Sequence, residues 1–149
     1  MSPKLHAAAG AIALLTISAF WLGTVTSELF GSHATIAQIK TGILYGMVVL
    51  IPAMATAGST GARLGKGWRL PQVAAKLRRM KIIAANGLLV LLPSAVFLAF
   101  KARAGMFDTS FYAVQGIELV AGALNITLLA RNMADGLAIS RRRSAKARG

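Results

Sequence analysis

Formal charge is almost absent from four long stretches of this chain. From Ile82 to Phe100 no residue carries one, and from Leu5 the sequence runs to Glu28 before meeting one. A second stretch near 35–60 is interrupted by Lys40, and a fourth near 110–131 by Glu118. Their bounds, about 5–30, 35–60, 82–100 and 110–131, approach or exceed the roughly 20 residues a helix needs to cross about 30 Å of hydrocarbon. The strands of a membrane barrel would instead alternate over segments of about ten residues, and no such pattern is visible. The sequence therefore predicts an all-α, integral membrane four-helix bundle, a single transmembrane domain over residues 1–149, with a basic loop at 61–81 and a basic tail at 132–149. The first stretch is read as a retained helix, because it is too long for the core of a secretory signal and only Lys4 precedes it.

A hydrophobic content of 56% is too high for an ordinary soluble domain of 149 residues. Seventeen Lys and Arg face four acids, a net charge of +13, and they lie between and beyond the apolar runs. The 61–81 connection holds Arg63, Lys66, Arg69, Lys76, Arg78, Arg79 and Lys81 without an acid. The tail adds Arg131, Arg141, Arg142, Arg143, Lys146 and Arg148 against Asp135 alone. On the other side only Lys101 and Arg103 occur. The positive-inside rule then places both termini and the long loop in the cytoplasm of a multi-pass protein of a bacterial inner membrane. The same charge should rest against anionic lipid headgroups. Topology accounts for the basic balance, so no nucleic-acid partner is expected. Trp21 and Trp68 suit interfacial or packing positions. Zero cysteines removes disulfides, thiolate metal sites, iron–sulfur clusters and thioether-linked haem.

Polar residues in such spans should point at other helices. In the fourth stretch Gln115, Glu118, Gly122, Asn125 and Asn132 recur at helical spacing. In the first, His6, Gly10, Ala13, Ile17, Phe20 and Thr24 share a face that ends at Ser27 and Glu28. In the second, Lys40, Leu44, Met47, Ile51, Met54 and Gly58 form a line. The third offers Asn86 and then Pro93, where a loosened backbone needs a partner. At about 1.5 Å per residue, Lys40 and Glu118 lie roughly 8 and 12 Å below the non-basic surface, which predicts an ion pair, with Glu28 as the competing partner. Asn86 and Asn125 come out at matching depth and should hydrogen-bond.

His6 and His33 exhaust the imidazoles and sit at opposite ends of the first helix, so one protomer cannot bring them to a single metal. There is no third imidazole for a catalytic zinc site. Haem needs as little as one axial ligand and can lie between apolar helices lined by small residues. Gly10 and Ala13 beside His6 would admit a porphyrin. At the other end His33, oriented by Glu28, would ligate, with Lys40 facing a propionate. A two-fold homodimer would supply a second imidazole.

The opening "KLHAAAGAIALLTISAFW" followed by "SELFGSH" resembles the first helices of small four-helix haem-associated membrane proteins, the protoporphyrinogen-oxidase-like and copper-resistance-D-like group. The matching positions are Lys4, Leu5, His6, Trp21 and His33, about a quarter of the chain, and "KIIAANGLLVLLPSAVF" and "FYAVQGIELVAGALNITLLARNM" carry no motif of that group. The whole chain looks more like uncharacterised four-helix inner-membrane proteins of proteobacteria, a resemblance that implies topology and no activity. The leading expectation is a b-type haem protein, a membrane oxidoreductase or redox sensor with His33 or His6 as axial ligand to haem b. A non-enzymatic membrane subunit or assembly factor is one alternative. A small transporter or proton pathway built on Lys40, Glu118, Gln115 and Asn125 is the other.

Overall fold

The computed structural model describes residues 3–67 and 71–146, and all of their regular structure is helical. Helix α1 is Pro3–Phe30 and α2 is His33–Leu64. Helix α3 spans Pro71–Arg103 and α4 spans Thr109–Lys146. All four are long and apolar enough to cross a membrane. They run alternately up and down, so both ends of the described chain lie at one end of the bundle, here the basic end. The α1–α2 and α3–α4 turns lie at the far end. Each helix packs against the next and α4 closes back on α1, whereas the diagonal pairs α1/α3 and α2/α4 make no close backbone approach.

Local chemistry sets the turns. The Ser32 side chain accepts from the Thr35 N–H at 3.2 Å and caps α2. Helix α3 ends in a Schellman motif: the Met106 N–H reaches the Lys101 carbonyl at 2.9 Å and the Gly105 N–H reaches Ala102 at 3.1 Å. Gly105 has φ of +68°, a conformation that favours glycine. Asp108 caps α4, its Oδ1 accepting from the Phe111 N–H at 3.0 Å. Hydrogen bonds from Lys101, Ser110 and the Phe111 N–H, in that order, hold the Asp108 carboxyl far below the usual carboxylate range. What this cap contributes is therefore present above that range and lost only in strongly acidic solution.

One boundary differs from expectation. The 61–81 segment is mostly helix: α2 continues to Leu64 and α3 begins at Pro71. Proline suits a first helical position, and the "AAKLRRMK" that follows favours helix without being apolar. Arg63, Lys76, Arg78, Arg79 and Lys81 therefore project from helices. The tail beyond 131 is likewise helical to Lys146. Trp68, Arg69 and Arg148 lie outside the described residues.

Inside α3, Gly87–Leu91 forms a π-turn in which the Leu92 N–H bonds the Gly87 carbonyl. Pro93 lacks an N–H and its ring would collide with the carbonyl four residues back. The wider turn relieves this without breaking the helix.

The core is a line of small and apolar residues from every helix, including Ala13, Ile17, Ile43, Met47, Leu50, Ile83, Leu91 and Ala121. The buried line of α2 runs through Ile36, Lys40, Ile43, Met47, Leu50 and Ala57. It does not follow the expected Leu44, Ile51 and Gly58, and Ile51 is turned outward. The outer faces are apolar: Leu15 is 71%, Val48 75% and Leu89 76% exposed, while Lys40 is 1% exposed. Polar groups are inside and hydrocarbon is outside.

Trp21 lies mid-bundle against Gly122, where an added Cβ would stand 3.0 Å from the indole Cδ1. The Trp21 Nε1 donates to the Leu119 carbonyl at 2.9 Å. Gly122→Leu should displace the indole, destabilise the protein by about 1–3 kcal/mol and shift Trp21 fluorescence in a Trp68→Phe background. Thermal unfolding and emission spectra in detergent check both expectations.

Candidate functional site

At the far end, four inward residues from three helices meet. Lys40 of α2 forms an ion pair with Glu118 Oε2 of α4 and also donates to Thr24 Oγ1 of α1 at 3.3 Å. Gln115, one helical step from Glu118, donates to the same Oε2 at 2.9 Å. Depth in the sequence predicts the Lys40–Glu118 pair, and the chain forms it. Because α2 and α4 are diagonal neighbours, only a side chain as long as lysine bridges them.

Glu28 lies close enough to this group to act on it electrostatically without joining its hydrogen bonds. Its Oε1 and the Oε1 of Gln115 are buried and have no hydrogen-bond partner among the described residues. Two carboxylates therefore share one ammonium, and two acceptor oxygens have no donor. On the inner side of Glu118 and Thr24 lies a cavity of about 40 Å³, otherwise lined by apolar residues and the Trp21 ring. It is large enough for a water molecule.

Below Trp21 a second polar seam joins α3 to α4. Asn86 donates to Asn125 Oδ1 at 2.8 Å and to the Ala121 carbonyl at 2.9 Å. Asn125, fully buried, donates to the Ile83 carbonyl at 3.3 Å. Further toward the basic end Arg79 donates to Asn132 at 3.0 Å and to Asp135 at 2.6 Å. The indole packs on Gly122, one helical step along α4 from Asn125 and from Glu118, and no hydrogen bond among the described residues joins this seam to the Lys40 cluster.

The histidines are placed differently from the expectation of axial ligands. His6 Nδ1 lies 3.1 Å from both the Ala57 carbonyl and Thr60 Oγ1. Thr60 gives its own proton to the Thr56 carbonyl. A carbonyl can only accept, so Nδ1 carries the proton and Nε2 is the lone pair, which receives Lys76 Nζ at 3.0 Å. Both ring nitrogens are thus engaged. Ala13 is fully buried in the core and offers no slot for a porphyrin, while Gly10 borders a groove described below.

His33 does not hydrogen-bond Glu28 either. Its ring stacks on Phe107 with centroids 4.0 Å apart and planes 14° apart, and Phe107 meets Phe111 edge-on at 4.9 Å. Lys40 is committed to Glu118 rather than to a propionate. Within the chain, His6 and Lys40 are thus engaged by protein groups rather than open to haem. No group of three or more His, Asp or Glu able to hold a metal ion occurs among the described residues.

Two partners escape sequence reasoning. Continuing the Asn86 face backward through Ile83 and Arg79 reaches Lys76 at helical spacing, a signal that could have been read. The His33–Phe107 stack joins residues far apart in sequence and has no local signature. No protein-family model, curated protein or solved structure matches the chain.

Removing one partner of the buried pair leaves the other charge stranded. Lys40→Met should cost about 3–5 kcal/mol, and Lys40→Met combined with Glu118→Leu should recover much of that loss. Unfolding midpoints of the two single variants and the double variant give the coupling.

Proposed function

We propose that the chain is a four-span protein of a cytoplasmic (inner) membrane with both termini cytoplasmic, and that its Glu28–Lys40–Glu118–Gln115 cluster is the proton-binding site of a small transport subunit. The membrane reading rests on the outward hydrocarbon of all four helices and the inward placement of Lys40, Gln115, Glu118 and Asn125. The orientation rests on Lys and Arg concentrated at one end.

The proton-binding reading is carried by one observation: Glu28 and Gln115 each bury an unpartnered oxygen beside an ion pair that Lys40 alone must balance. With both acids ionised the cluster is one negative charge in excess. Uptake of one proton by a carboxylate neutralises it and supplies a donor for one of the waiting oxygens. Release restores the charge, and a second proton or a small cation can then enter. Glu28 stands nearest the α1–α2 turn and would meet the proton first, with Lys40 and Glu118 behind it. No hydrogen bond among the described residues links this cluster to the Asn86–Asn125 contacts beyond Trp21, so passage to the basic end requires helix movement rather than a fixed wire of polar groups.

The satisfied Asn86–Asn125 and Arg79–Asn132–Asp135 contacts favour a second reading, a non-enzymatic membrane subunit whose polar groups hold the helices in place. Proton flux into liposomes, followed with an internal pH dye, separates the two. The transport reading expects flux that falls at least about tenfold in Glu118→Gln and in Glu28→Gln, as loss of a participating proton carrier would give. Flux absent from the unmodified protein leaves the scaffold reading. Because the chain has no cysteine, single cysteines at Ser32 and Ser140 report orientation cleanly. Ser32 should react with an impermeant thiol reagent from outside intact cells, and Ser140 only after permeabilisation.

A further inference from the structure

At the basic end α1 and α4 part, and between them opens a groove of about 680 Å³ floored by α2 and α3. Much of its wall is hydrocarbon, including Ala7, Val73, Met80, Leu129, Met133 and Leu137, while His6, Lys76 and Asn132 supply polar edges. A groove of that size accommodates a small amphiphile or the head region of a lipid.

Lys76 gives the groove its chemistry. Its ammonium donates to the His6 lone pair at 3.0 Å. No carboxylate forms an ion pair with it among the described residues, because Asp135 is held by Arg79 at 2.6 Å. An ammonium has three N–H donors, so two remain for a ligand.

The backbone around it is kept bare. A Cβ on Gly136 would stand 3.2 Å from Lys76 Nζ, and one on Gly61 would stand 3.0 Å from His6 Cε1. A Cβ on Gly10, along the α1 wall, would meet nothing within 4 Å. A half-buried cation whose nearest acid, Asp135, is shared with and held by Arg79, set at the head of an apolar trough, is complementary to a molecule with one negative head and a hydrocarbon tail.

We propose that this groove binds one anionic phospholipid, its phosphate on Lys76 and the first part of an acyl chain along Gly10, Met80 and Leu129. Asn132 and Arg63 border the head, and His6 fixes the Lys76 ammonium by accepting a hydrogen bond from it. The site is separate from the Lys40 cluster and shares with the proposed function only the placement of the chain in a bilayer.

The test uses the full chain in nanodiscs made of equal phosphatidylglycerol and phosphatidylcholine with matched acyl chains, with lipid retained on release counted by native mass spectrometry. Failure to enter nanodiscs overturns the membrane reading itself. In protein that enters, one phosphatidylglycerol should be kept about fivefold over phosphatidylcholine, the factor expected for one basic residue acting on an anionic lipid. Lys76→Gln should bring the ratio close to one and Lys76→Arg should keep it. Lys81→Gln, which removes the same charge outside the groove, should leave the ratio unchanged. Gly10→Trp, which fills the apolar part, should reduce retention of both lipids. Equal retention of the two lipids, or an unchanged preference in Lys76→Gln, overturns the proposal. So does thermal protection by inorganic phosphate that matches phosphatidylglycerol, since it marks a phosphate site that needs no tail.

Discussion

A lysine ammonium and a glutamate carboxylate, pressed together between diagonally opposed helices, govern how this bundle is built. Lys40 and Glu118 lie on α2 and α4, whose backbones do not approach each other. Either charge alone in a dry interior costs several kcal/mol, so the fold that forms is one in which the lysine stem can cross the middle. At the basic end a second lysine makes the other diagonal. Lys76 of α3 reaches His6 of α1, again between helices with no close backbone contact. Adjacent helices are joined by packing and by contacts such as those of Asn86, Arg79 and Trp21, and opposed helices by the two lysines.

Between the two bridges stands Trp21, fitted against Gly122. It divides the polar interior into chambers of different character. Above it, two acids share one base and two oxygens have no donor. Below it, Asn86, Asn125, Arg79, Asn132 and Asp135 are mutually satisfied, and beyond them the helices separate around a cation. The upper chamber suits an exchange of small charge. The lower one suits holding the helices together and meeting an anion.

Much of this could be read from the sequence because helices apolar enough to cross a membrane leave polar side chains few places but the interior. The stripe Gln115, Glu118, Gly122, Asn125 and Asn132 faces inward as its spacing requires, and both cross-helix pairs follow from depth alone. The α2 line was harder to phase. Once Lys40 is fixed, apolar residues fill both candidate faces, and hydropathy cannot choose between Ile43–Leu50–Ala57 and Leu44–Ile51–Gly58. The 61–81 segment reads as a loop when only hydropathy is followed, although its Ala, Leu, Lys and Arg favour helix. The histidines lie at the helix ends their positions require, but their partners could not be read: Lys76 and Phe107 come from distant helices, and nothing local encodes the groove between α1 and α4.

The wide turn at Gly87–Leu91 has a consequence for how the chain can vary. It carries an additional residue within the third helix, and each residue of an α-helix advances the face by about 100°. Winding that turn up into regular α-helix without removing a residue would swing everything after it by that angle. Ala95, Leu98 and Ala102, now buried, would be rotated away from their neighbours while Asn86 stayed where it is. The wide turn is therefore what keeps the two halves of α3 in phase with the core, and the face they share depends on that turn more than on the identity of each aliphatic side chain within it.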